Sequence, residues 1–399
     1  MKTPFGDLSY CTNIHAGDDW DTHFKAIKEN FYSIKSKLSP DKALGIGLRL
    51  SNLSSLEILE DQKLKEFKKW LKEVDAYVFT MNGFPFGEFH HTAVKDQVHA
   101  PDWLTEDRVN YTIRLFDILS DLVDEESGIS TSPLSYRHWF KDVVSLAEAT
   151  QKATVNMLRV LLHLIEIKNK KGLVLHLDIE PEPDGILESG QEFIDWYLNV
   201  LLPLGKSLLK EKLKISEEIA EKNIKEHIQL CYDVCHFALG YEKHAEVLEK
   251  LNNEGIKVGK IQISSALKAN LPQNVERKVI KKAFQQFNEP IYLHQVITKN
   301  INGELIRYKD LPEALEEIDD VEVVEWRSHF HVPIFIENFH VLSSTQSDIV
   351  EVLNLQKQKA FTKQLEVETY TWEVTPEELK LPIGESIERE LSWVKNQLS

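Results

Sequence analysis

Gly172-Leu-Val-Leu-His-Leu-Asp-Ile-Glu180 is an apolar run broken only by His176 and Asp178, and Pro181 and Pro183 follow it at once. Proline has no backbone N–H to give a ladder, so the run reads as a buried β-strand that stops at Glu180. The same unit repeats on either side. Upstream, β-rich runs at residues 8–15, 44–50, 76–81 and 129–134 alternate with helical patterns at 20–37, 54–72, 105–123 and 146–168. The pattern over 54–72 places Leu56, Leu59, Leu64, Phe67 and Leu71 at helical spacing. Downstream, runs at 228–234, 257–263 and 364–370 alternate with helices at 191–209, 216–225 and 242–252, and an acidic helix closes the chain. Eight strand signals separated by helices predict an α/β fold, a closed parallel (β/α)₈ TIM barrel, as a single domain over residues 1–399.

One segment breaks the rhythm. About a hundred residues separate the seventh and eighth strands, too many for one helix. Within it the runs 291–298 and 304–308 flank Asn302-Gly303, a strong hairpin signal. The segment at about 288–342 therefore reads as a hairpin-containing insertion over the barrel mouth.

Composition narrows the partners. The 399 residues carry a net charge of −17, which repels phosphate backbones and argues against nucleic acid. No run approaches the length of a membrane span, and the first twenty residues lack the apolar core of a secretory signal. Three cysteines, Cys11, Cys231 and Cys235, do not form a disulfide framework, so a cytoplasmic location is expected. Buried inert thiols are the simplest reading of Cys231 and Cys235.

Active sites of such barrels lie where the strands end. Read in order, those ends are Glu180, Asp233 with His236 three residues on, Gln262, and Glu368. Three carboxylates and an amide oxygen from adjacent strands would form a hard-donor site for one divalent ion. Mg²⁺ or Mn²⁺ suits such donors, and histidine participation shifts the choice toward Mn²⁺, Co²⁺ or Zn²⁺. Asp233 also reads as a helix N-cap, and Glu366 competes with Glu368 on the same strand face. Asn13 and His15 follow the first strand, His90 lies in the aromatic loop after Asn82-Gly-Phe-Pro-Phe-Gly87, and His294 sits in the insertion. These four residues, with His236 and His331, are candidate substrate contacts. His329 and His331 alternate along one short run, a spacing that permits two ligands and equally a structural role.

Ile179-Glu-Pro181, Tyr232-Asp-Val-Cys-His236 and Lys260-Ile-Gln-Ile263 resemble the site segments of hydroxypyruvate isomerase and related xylose-isomerase-like sugar isomerases and epimerases. The resemblance implies Glu180, Asp233, Gln262 and Glu368 as metal ligands. It also implies Glu180 and Glu368 as the catalytic proton-transfer pair; Glu182, which shares a strand parity with Glu180, is a spare candidate base. A narrower resemblance, to the EboE family of the bacterial ebo gene cluster, rests on several further segments. They are Tyr10-Cys-Thr-Asn-Ile-His15, Gly45-Ile-Gly-Leu-Arg-Leu-Ser51, Asn82-Gly-Phe-Pro-Phe-Gly87, His329-Phe-His-Val-Pro-Ile-Phe335 and Glu368-Thr-Tyr-Thr-Trp372. It implies secondary-metabolite processing or traffic, with other ebo-cluster proteins as partners. The expected function is a metal-dependent isomerase or epimerase acting on a small hydroxycarbonyl metabolite. The alternative is a metabolite-binding protein that uses the same pocket without catalysis.

Overall fold

The computed structural model describes residues 1–87, 94–271, 277–373 and 380–399, with only the backbone at 373. Its central sheet contains eight parallel strands: β1 (Gly6–Tyr10), β2 (Leu44–Arg49), β3 (Ala76–Asn82), β4 (Ser127–Thr131), β5 (Leu175–Ile179), β6 (Ile228–Asp233), β7 (Val258–Ile263) and β8 (Gln364–Val367). Each of β2 to β7 pairs with the next in sequence up to β8, and β8 pairs with β1. A parallel bridge from Cys11 to Gly47 joins β1 to β2 and closes the ring. A short antiparallel strand, Lys2–Thr3, pairs with β1 at its start.

The helices pack outside, and their boundaries follow local chemistry. Val143–Lys171 begins in a capping box between Asp142 and Ser145 and ends at Gly172, whose φ of 70° suits a residue without Cβ. Gly172 thus caps the helix, and the strand begins only at Leu175. The helix expected over 54–72 is two helices, Asn52–Glu57 and Lys63–Glu73. Asp61 and Gln62 have positive φ between them, and Leu56 and Leu59 are 45% and 51% exposed, so their spacing does not mark a buried face. Residues 191–209 fall in a helix that passes through a π turn at Tyr197–Leu201, just before Pro203, which has no N–H for the α-helical ladder.

The barrel interior is polar. Lys260 Nζ meets Glu366 Oε2 at 2.8 Å, the Met81 carbonyl at 2.9 Å and Ser130 Oγ at 3.3 Å. His176 Nδ1 lies 2.6 Å from Asp178 Oδ1. Room for these side chains comes from small neighbours: a Cβ on Gly47 would strike the Glu366 carboxylate, and one on Gly128 would strike Asp178 and His176. The unassuming Ser127-Gly-Ile-Ser-Thr131 is a central strand for that reason.

Between β7 and β8 the chain builds a second, antiparallel sheet. Its strand order is Leu305–Tyr308, Val296–Asn300, Val323–Ser328, Leu267–Asn270, Leu342–Ser344 and Asn338–Phe339. The first two form the expected hairpin around Asn302-Gly303, with Val296 opposite Tyr308 and Lys299 opposite Leu305. This sheet starts as early as Leu267 and packs over a cluster of its own that includes Phe284, Leu311, Trp326 and Phe330. Among the described residues, no helix is long and apolar enough to cross a membrane.

Candidate metal centre

Inward-facing residues recur every second position along a strand, so β5 and β8 each stack acids in tiers. Asp178 and Glu366 sit within the barrel, and Glu180 and Glu368 emerge above them at the C-terminal mouth. Pro181 ends β5 directly after Glu180, while the Glu368 N–H still donates to the Ile263 carbonyl at 3.1 Å, one residue past β8. From β6, Asp233 caps the helix Val234–Leu239 through Oδ1, which accepts from the His236 N–H at 3.2 Å and Ser264 Oγ at 2.6 Å. The N-cap reading therefore holds for one oxygen. Asp233 Oδ2 is buried without a hydrogen-bond partner.

Glu180, Asp233 and Glu368 each bring a carboxylate oxygen within 4.8 Å of the others, all buried. Such a cluster is unstable as three bare anions. Burial, then Glu368 and Asp233, pushes Glu180 well above the usual carboxylate range. Burial, then Asp233 and Glu366, does the same to Glu368, although the Asn13 hydrogen bond opposes it. Asn13 and Asn82 donate to Glu368 Oε1 at 2.7 and 2.8 Å, which fixes its orientation. Cys231 donates its thiol to Gln262 Oε1 at 2.8 Å, and Gln262 Nε2 is left buried without a partner. Gln262 thus stands beside Asp233 in register, with its oxygen turned toward Cys231.

The insertion supplies the other wall. Ligand atoms of Asp233, His236 and His331 lie within 4.8 Å of one another, as do those of Cys235, His329 and His331. His331 Nδ1 donates to the Glu368 carbonyl at 2.9 Å, and its Nε2 is buried without a partner. Burial lowers the proton affinity of His331, and burial together with His236 and His331 lowers that of His329 further, so both rings favour the neutral form that binds metals. Orphaned donors on Asp233 and His331, beside three buried acids, match the needs of a divalent cation.

Asn13, Glu180, His236, His331 and Glu368 line a single pocket together with Phe84, His99, Glu182, Tyr292, Gln295, His329 and Tyr370. His15 and His294 are not brought to it. His15 Nε2 faces Tyr10 Oη at 3.2 Å, and His294 spans the His329 carbonyl and Glu289 through its two nitrogens. His90 lies outside the described residues. Glu182 lies 2.8 Å from His99, a partner that no local motif in the sequence signalled. Asn82 and Gln295 escaped notice too, since lone amides carry no spacing signature.

No family model matches the chain, and no curated protein matches it. Solved structures do. It is similar to an IolI protein with a bound zinc atom at 13% identity and a TM-score of 0.49, covering 98% of each chain. It is also similar to a xylose isomerase domain containing protein from Salmonella typhimurium LT2, at 10% identity and a TM-score of 0.45 over 100% and 99% of the two chains. A putative sugar phosphate isomerase/epimerase from Anabaena variabilis ATCC 29413 matches at 12% identity and 0.42, over 89% of this chain and 99% of that one. The TIM barrel itself stands on the strand pairing of this chain.

Proposed function

We propose that the protein is a metal-dependent isomerase or epimerase that moves a proton between neighbouring carbons of a small hydroxycarbonyl metabolite. The observation that carries this reading is the convergence of Glu180, Asp233 and Glu368 within 4.8 Å at the barrel mouth. These three would hold one divalent ion, with Gln262 adjoining. When bound, that ion would polarise a carbonyl and the hydroxyl beside it.

The chain's own residues support the rest of the chemistry. Glu180 and Glu368 approach from two different strands, so they can address a substrate carbon from two directions. Burial and the neighbouring acids raise the proton affinity of both, the direction a carboxylate base needs. Asn13 and Asn82 hold Glu368 through one oxygen, and the His99 contact holds Glu182 ready as an alternative base. His236, anchored by Nδ1 to the Pro181 carbonyl at 2.9 Å, faces the pocket as a substrate contact or ligand. Phe84 and Pro85 after β3 and Tyr292 and Leu293 of the insertion contribute apolar surface to the pocket wall.

The test is isotope exchange. Metal-loaded protein incubated in D₂O with a panel of hydroxycarbonyl compounds should wash deuterium into the carbon beside the carbonyl of one of them. Glu180→Gln and Glu368→Gln should lose about 10²–10⁴-fold of that exchange with the fold intact. A protein that takes up no divalent ion under any loading condition rules the reading out.

Phe84, Tyr292 and Tyr370 on the pocket wall favour a second reading, a carrier that retains an organic metabolite unchanged. Measurable affinity without exchange or turnover would select it. Membership of the EboE family, a role in metabolite traffic beside other ebo-cluster proteins and a cytoplasmic location belong to the same proposal, and they rest on the motif resemblance.

A further inference from the structure

The pocket has two kinds of wall. Amides and imidazoles meet the acids, Asn13 and Asn82 at Glu368 and His236 and His331 at Asp233. Another wall is apolar: Phe84 and Pro85 after β3, Val98 farther along that loop, Tyr292 and Leu293 of the insertion, and Tyr370 after β8. The two walls adjoin at Tyr370, whose ring centroid lies 4.7 Å from that of His331 and 5.3 Å from that of Tyr292. Tyr292 and Tyr370 pack with Val94, Val98 and Ile291 in a cluster that belongs to neither the barrel core nor the insertion core. The Val94 and Lys95 N–H groups donate to the Ile291 carbonyl at 2.9 and 3.0 Å, which ties the loop after β3 to the insertion. The polar side chains among these rings are already engaged. Lys95 Nζ meets Asp310 at 2.8 Å, and His99 Nε2 meets Glu182 at 2.8 Å. Gln295 joins His329 Nδ1, at 2.8 Å, to the Pro183 carbonyl, at 3.3 Å. Among the described lining residues Lys95 is the one lysine or arginine. A phosphate there would need a cation of its own, and each hydroxyl of a polyol chain would lose its water without gaining a partner.

We propose that the substrate joins its hydroxycarbonyl head to an uncharged apolar body, best of all an aromatic ring, that packs against Phe84, Tyr292 and Tyr370. A flat ring can lie edge-on or offset against such side chains. Only the head rests on the isomerase reading. The body follows from the wall, whether the pocket turns its ligand over or carries it unchanged.

Ketones that share one head and differ in body test this: α-hydroxyacetophenone, dihydroxyacetone, xylulose and dihydroxyacetone phosphate. Calorimetry reads their dissociation constants for the full chain, with and without saturating Mn²⁺. α-Hydroxyacetophenone should bind about 10–100-fold tighter than dihydroxyacetone, with a negative heat-capacity change. Phe84→Ala and Tyr292→Ala should each remove about tenfold of that preference. Circular dichroism confirms that the variants fold, and Phe84→Leu and Tyr292→Leu replace them where the alanine variants do not. Equal or tighter binding of xylulose or dihydroxyacetone phosphate overturns the inference and leaves the isomerase reading standing. A phenyl preference that survives both variants, or no binding of any of these ketones, also overturns it. A phenyl preference that both variants reduce, with no ketone strengthened by Mn²⁺, supports the apolar body and removes the isomerase reading.

Discussion

Two tiers of the same barrel use the same residue types and reach opposite results. On β5, Asp178 lies two positions before Glu180, and on β8, Glu366 lies two positions before Glu368. In the lower tier the chain brings its own partners, with the Lys260 ammonium 2.8 Å from Glu366 and the His176 ring 2.6 Å from Asp178. In the upper tier Glu180, Asp233 and Glu368 face one another with amides and imidazoles around them, and among the described residues no lysine or arginine is paired with them: Lys95, which also lines the pocket, pairs with Asp310 at 2.8 Å. Burial is the same in both tiers. What separates a structural acid from a candidate functional one is whether the chain itself supplies the cation.

The largest break in that contrast comes from removing the internal cation. Burial alone would lower the proton affinity of Lys260, but Glu366 outweighs it and holds the ammonium charged. Lys260→Met strands Glu366 in the interior and should cost about 3–5 kcal/mol in denaturant unfolding. Lys260→Met/Glu366→Met should recover most of that loss, because neither charge is then buried alone.

Glu390 sharpens the contrast from a third direction, since its buried carboxyl is met by Thr369 Oγ1 at 2.7 Å, the Ile334 N–H at 3.3 Å and the Trp372 side chain, with no cation paired to it among the described residues. Burial raises it from 4.5 to about 8. Because the folded value lies above the unfolded one, its contribution to stability is complete below pH 4.5 and is lost as pH rises toward about 8. Thermal unfolding across that window should show a loss on the order of 2–4 kcal/mol that Glu390→Gln abolishes.

The upper tier should respond to an added ion where the lower one does not. Mn²⁺ at a hundredfold excess over its dissociation constant should stabilise the fold by about 2.7 kcal/mol, read as a shift in the thermal midpoint. The shift should vanish in Glu368→Gln and persist in Lys260→Met/Glu366→Met. The exposed pair Lys25–Glu29 at 3.8 Å sets the floor, and Glu29→Gln should change stability by about 0.5 kcal/mol or less.

The tiers also show what a sequence can disclose. Alternation of apolar runs and helices revealed the barrel, and Asn302-Gly303 revealed the hairpin, because both signals are local. Glu180, Asp233 and Glu368 were visible because a barrel sends its strand ends to one place. The pairing of Lys260 with Glu366 depends on register between β7 and β8, which no local pattern encodes. The same holds for His99 with Glu182, which come from the loops after β3 and β5, and for His329 with Gln295, which the antiparallel pairing of Val296 with Ser328 brings together. The helix expected over 54–72 misled for the reverse reason: a local period was present, but Asp61 and Gln62 turn the chain within it.

The central claim is that the upper tier is completed by an ion from outside. A crystal soaked in MnCl₂ and measured near the manganese edge examines it directly. An anomalous peak between Glu180, Asp233 and Glu368 is the expected result. Those three side chains in place, with no peak among them at saturating Mn²⁺, would contradict it.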